Sequence, residues 1–79
     1  MTEAEILKAL TTLLRDLLDD ESIALKMETV ARDVPNFDSA ALISFVVAVE
    51  IEFNVKFSVA TIETFDTFGA IVKAIQALK

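Results

Sequence analysis

Ser39 follows Asp38 in the run Val34-Pro35-Asn36-Phe37-Asp38-Ser39-Ala40-Ala41-Leu42, and it is the residue of this chain best placed to do chemistry. It stands at the threshold of an amphipathic segment. If the protein does chemistry, the Ser39 hydroxyl carries it. Competing centres are few, because the sequence holds no cysteine, histidine, tryptophan or tyrosine. A Cys/His metal centre, a Ser-His-Asp triad, a thiol nucleophile and a disulfide framework are thereby excluded. Thirteen acidic residues remain against seven basic ones. Acid-base catalysis by paired carboxylates, however, needs a concave pocket that separates their pKa values, and 79 residues leave little room to build one. We expect no catalytic residue and no metal centre of the protein's own.

The elements that must position Ser39 follow from length and periodicity. A chain of 79 residues makes one domain, residues 1–79, and a domain of that size buries only about 60–65% of the surface its unfolded chain exposes. The apolar share is correspondingly high, 54%. The uncharged stretch from Ser39 to Val49 falls short of the roughly 20 apolar residues that span a bilayer, and no basic leader or cleavage site marks a signal peptide. The expectation is a soluble, cytoplasmic monomer with no membrane insertion. A net charge of −6 and a pI near 4.4 disfavour nucleic acid and anionic membrane and favour basic protein partners, although acidity also serves solubility alone.

Ile6, Leu10, Leu13, Leu14 and Leu17 form one stripe of a first helix. Thr2 and Glu5 make a capping box at its start, and the acidic run Asp19-Asp20-Glu21 ends it near Leu18. From Asp19 to Asp38 no helical period persists, although Ile23, Leu25, Met27, Val30, Val34 and Phe37 can anchor the segment; a connection this long in so small a domain is usually functional. A second helix begins at Ser39 with Leu42, Phe45, Val46, Val49 and Phe53 on its core face. Its opposite face carries Ala40, Ser44, Val47 and Ile51, with Ile43 on the flank, so the side turned to water is largely apolar. Such a strip marks a contact surface unless another helix covers it. Val55, Phe57 and Val59 read as an extended loop leading into a short helical turn over 59–64. The last helix places Phe68, Ile71, Val72, Ile75 and Leu78 on one face, with Asp66 or Thr67 as its cap. The fold class is therefore all-α, an antiparallel bundle of three main helices plus one short helix, with a long first loop.

This order of elements, with Asp38-Ser39 before the second helix, resembles the acyl carrier proteins and their peptidyl-carrier relatives over essentially the whole chain. Asp38-Ser39 matches the family's Asp-Ser-Leu signature. Glu50-Ile51-Glu52-Phe53 with Val55 and Phe57 is similar to its E-x-E-F-x-I-x-F segment, and Asp66-Thr67-Phe68-Gly69 is similar to the T-V-G-D start of its last helix. An Asp-Ser pair alone is an ordinary helix cap; matched segments at matched separations are what give it meaning.

The resemblance implies that Ser39 bears 4′-phosphopantetheine, delivered from coenzyme A by a phosphopantetheinyl transferase, and that Asp38 helps recruit the accompanying Mg²⁺. The chain would then be a shuttle between acyl-loading and acyl-transferring enzymes, not an enzyme. Where the family usually has leucine this chain has Ala40, and Ala41, Ser44 and Ile51 stand where fatty-acid-synthesis carriers place acids. Phe37 resembles the aromatic-Asp-Ser variant of stand-alone and aminoacyl carriers. Together these departures imply a dedicated carrier of a specialised pathway, docking through Ala40, Ser44, Val47 and Ile51. The reading from another class is an unmodified helical module that uses the same strip to dimerise or to bind a partner helix.

Overall fold

The computed structural model describes residues 1–79 and contains four helices: α1 (Glu3–Leu18), α2 (Ser39–Phe53), α3 (Val59–Ile62) and α4 (Phe68–Leu78). Three long helices and a short one, without strands, are the all-α arrangement expected from the periodicity. At the start of α1 the Thr2 amide donates to Glu5 Oε1 at 2.8 Å while the Glu5 amide donates to Thr2 Oγ1 at 3.1 Å, closing the capping box. Accepting the Thr2 backbone N–H holds the Glu5 carboxyl below its usual range. The box therefore stabilises the helix at neutral pH and lapses as the pH falls through that lowered value.

With a single glycine in the sequence, the left-handed turns fall to Asp and Asn, the non-glycine residues that tolerate them best. Asp19 ends α1 with φ 51° and Asn54 ends α2 with φ 53°. The Asp19 amide closes on the carbonyl of Arg15 and the Asn54 amide on that of Glu50.

α1 packs against both α2 and α4. Ile6, Leu10 and Leu14 of α1, Phe45, Val46, Val49 and Phe53 of α2, and Phe68, Ile71, Val72 and Ile75 of α4 supply most of the buried core. Three expected core positions lie elsewhere. Leu17 is exposed in the last turn of α1, where Leu18 packs against the core instead. Leu78 is exposed at the end of α4, one turn beyond the last buried residue, Ile75. Leu42 is only half-buried, because it packs against the core on one side and borders a surface cleft on the other.

The Asp19–Asp38 connection is fastened, not loose. Arg15 Nε donates to the Ile23 carbonyl at 2.7 Å, and Ile23, Leu25, Ala31, Val34 and Phe37 are buried. A 3₁₀ turn, Ala31–Asp33, follows an isolated antiparallel bridge between Val30 and Thr67. The Ala31 amide donates to Asp66 O at 2.9 Å, that of Phe68 to Thr29 O at 3.1 Å and that of Gly69 to Met27 O at 2.9 Å. Gly69 is required by this approach, since a Cβ there would lie 2.5 Å from the Met27 carbonyl oxygen.

Phe45 is fully buried and Phe53 nearly so. Phe45→Ala and Phe53→Ala should each destabilise the fold by roughly 3–5 kcal/mol, and Gly69→Ala by about 1–3 kcal/mol through overpacking against backbone. Urea unfolding followed by circular dichroism measures all three, and unaltered midpoints would overturn this assignment of the core.

Candidate functional site

Pro35-Asn36 builds the approach to Ser39. The Phe37 amide donates to the Val34 carbonyl at 3.2 Å, closing a turn in which Asn36 takes φ 65°. That is the position where a type II turn demands a positive φ, and asparagine accepts it. The turn drives Phe37 inward, where its ring meets Phe45 edge-on at a centroid separation of 5.8 Å and Phe68 at 5.8 Å. Asp38 and Ser39 are thereby left exposed at the surface.

Asp38 is the N-cap of α2, with its Oδ1 accepting from the Ala41 amide at 2.8 Å. The first helical bond runs from the Leu42 amide to the Asp38 carbonyl at 2.9 Å. Ser39 is the first helical residue, not the cap, so its own hydroxyl is not used to end the helix. At the far end of α2, Glu50 Oε2 accepts from the Phe57 amide at 2.8 Å and ties the following loop back onto the helix.

Ser39 and Asp38 form part of the wall of a cleft of about 200 Å³, together with Arg32, Leu42, Phe65 and Asp66. The sequence reading singled out Asp38 and Ser39 but did not foresee Arg32, Phe65 or Asp66 beside them. Those residues come from the 3₁₀ turn and from the segment before α4, which the bond from the Ala31 amide to the Asp66 carbonyl holds together. Leu42 was within reach of sequence reasoning, since a residue three positions after Ser39 lies on the same side of the helix.

The structure turns Ala40, Ser44, Val47 and Ile51 outward, and α3 does not cover them. Ile51 is 76% exposed, Ile43 57% and Val47 49%. From Ser39 to Val49 this helix carries no charge. No group of acidic side chains is arranged to hold a metal ion, and no helix is long and apolar enough to cross a membrane.

No protein-family model and no curated protein matches the chain. Among solved structures it is similar to the solution NMR structure of a holo acyl carrier protein from Geobacter metallireducens, with a TM-score of 0.84 and 29% sequence identity, covering 91% of this chain and 83% of that one. A helical bundle of this order that superposes on a carrier over nearly its full length supports a carrier role rather than an enzymatic one. Its fold is that of an acyl carrier protein.

Removing the cap isolates the structural part of Asp38. Asp38→Ala should lower stability by about 1 kcal/mol, whereas Asp38→Asn, whose amide oxygen still accepts from Ala41, should lower it by no more than a few tenths. Paired denaturation curves distinguish the two, and equal losses would mean that the cap bond is not what Asp38 contributes to the fold.

Proposed function

We propose that the chain is a modified carrier, with Ser39 as the attachment point of 4′-phosphopantetheine transferred from coenzyme A by a phosphopantetheinyl transferase. The observation that carries the reading is an exposed serine, free of capping duty, at the first residue of α2 in a fold that matches a holo acyl carrier protein. The arm supplies a terminal thiol, absent from this cysteine-free chain, on which acyl or aminoacyl cargo is held as a thioester.

The residues around Ser39 fit such a group. The helix N-terminus favours the negative charge that attachment brings. Asp38 uses Oδ1 for the cap, which leaves its other oxygen to help recruit Mg²⁺ when coenzyme A and the transferase arrive. Ala40, Ser44, Val47 and Ile51 form the docking face for the acyl-loading and acyl-transferring enzymes. An apolar face where fatty-acid-synthesis carriers are acidic suits dedicated partners in a specialised, cytoplasmic pathway.

Intact mass after co-expression with broad-specificity transferases tests the reading. Wild type should gain one phosphopantetheine and Ser39→Ala none, because Ser22 lies in the first loop, Ser44 within α2 and Ser58 caps α3. Asp38→Asn should be folded yet modified more slowly. An unmodified wild type with several transferases would sink the carrier mechanism and leave the unmodified interaction module.

The docking face has its own test. Val47→Glu and Ile51→Glu should change stability by no more than about 0.5 kcal/mol, as for ordinary surface positions. Both should still accept the arm at Ser39 but be poorly loaded by the cognate enzyme, because the new charge meets an apolar surface unpaired. Normal loading of both variants would place the docking surface elsewhere.

A further inference from the structure

The cleft beside Ser39 contains one cation, Arg32, against two carboxylates, Asp38 and Asp66. Arg15 is committed, donating through Nε to the Ile23 carbonyl; no such bond ties the exposed side chain of Arg32. The backbone beneath Arg32 is fixed all the same. It belongs to the Ala31–Asp33 turn, whose first amide donates to Asp66 O at 2.9 Å and whose end is closed by the Val34 amide on Ala31 O at 3.2 Å. A long cationic side chain thus rises from a rigid base into the cleft whose wall contains the attachment residue.

A phosphodiester on Ser39 brings a permanent negative charge next to Asp38 and within the cleft that Asp66 also lines. Like charges so placed repel unless a cation stands among them, and arginine pairs with phosphate through parallel N–H donors. Building on the carrier reading, we propose that Arg32 is the counter-ion of that phosphodiester and that the cleft holds the near half of the arm, with Leu42 and Phe65 as its apolar wall. The arm is tethered at Ser39, so its effective concentration over the cleft is in the millimolar range or above, and modest contacts are enough to populate the seated state. The seat is partly electrostatic and therefore opens with salt. This carrier keeps its arm folded against α2 between partners and releases it when a partner displaces Arg32.

The test compares wild type, Arg32→Gln and Arg32→Lys, each converted to the holo form and verified by intact mass. The arm is isotopically labelled and its nuclear Overhauser contacts to Leu42 and Phe65 are recorded from low to high sodium chloride. Holo wild type should show these contacts at low salt and lose them as salt rises. Arg32→Gln should lack them throughout with an unchanged melting temperature of the apo protein, and Arg32→Lys should retain them in weakened form. An effect of Arg32 on the fold alone would appear in the apo melting temperature and would not titrate with salt. A holo wild type whose arm makes no contact with the cleft, or contacts that survive Arg32→Gln or high salt, overturns the role of Arg32 while leaving the carrier reading intact. A wild type that accepts no arm removes both.

Discussion

Three phenylalanine rings hold this structure to its purpose. Phe37 from the first connection, Phe45 from α2 and Phe68 from α4 meet pairwise, with centroids 5.8, 5.8 and 5.9 Å apart. Each ring is buried, and each comes from a different part of the chain. Two of the pairs are edge-on and the Phe37–Phe68 pair is tilted; edge-on pairs contribute about 0.5–1.5 kcal/mol beyond the area they bury, and here all three pairs also fix geometry. Because Phe37 immediately precedes Asp38, burying its ring sets where the exposed Asp38-Ser39 pair emerges. The position of the candidate attachment residue is thus decided one step inside the surface.

The triad depends in turn on a backbone contact that no side chain advertises. The loop before Phe37 reaches α4 through the amides of Ala31, Phe68 and Gly69, and the last of these is possible only because position 69 has no Cβ. Glycine inside a helix ordinarily weakens it by about 1 kcal/mol relative to alanine. At Gly69 that loss is offset by letting a twenty-residue connection lie flat on the first turn of α4. The Phe57–Phe65 pair, edge-on at 5.2 Å, does the same work on the other side, joining the loop after α2 to the segment before α4.

How much of this was legible in the sequence follows from the same distinction. The helices were, down to the Thr2-Glu5 box and the start of α2 at Ser39, because they rest on periodicity and caps, which are local. The exposed place of Ser39 at the first residue of α2, behind the Asp38 cap, was legible for the same reason. Of the first connection, the apolar anchors Ile23, Leu25, Val34 and Phe37 were legible and are buried; its hydrogen bonds to the segment around α4 were not, since they run from backbone to backbone and any residue can supply them. The cleft escaped for the same reason, its walls being assembled in part from segments that these bonds hold together. Leu17 and Leu78 show the opposite failure: periodicity places them on the core face but does not reveal that the packing ends before they do.

The acidic residues are distributed in a way that bears on partner choice. The outward side of α2 is uncharged from Ser39 to Val49, while Asp38 borders it at one end and Glu50 and Glu52 at the other. Contact on the proposed docking face would therefore bury Val47 at the centre and Ile51 towards the acidic end, and leave carboxylates at the rim. Apolar burial of that kind provides affinity without specifying a sign of charge, whereas a rim of carboxylates raises the rate of encounter with a basic surface and disfavours an acidic one. The same acidic rim works against self-association through this strip, because a second copy would bring its own carboxylates to the first. An apolar centre with an acidic border is better matched to a larger partner that is apolar where it touches α2 and basic around it.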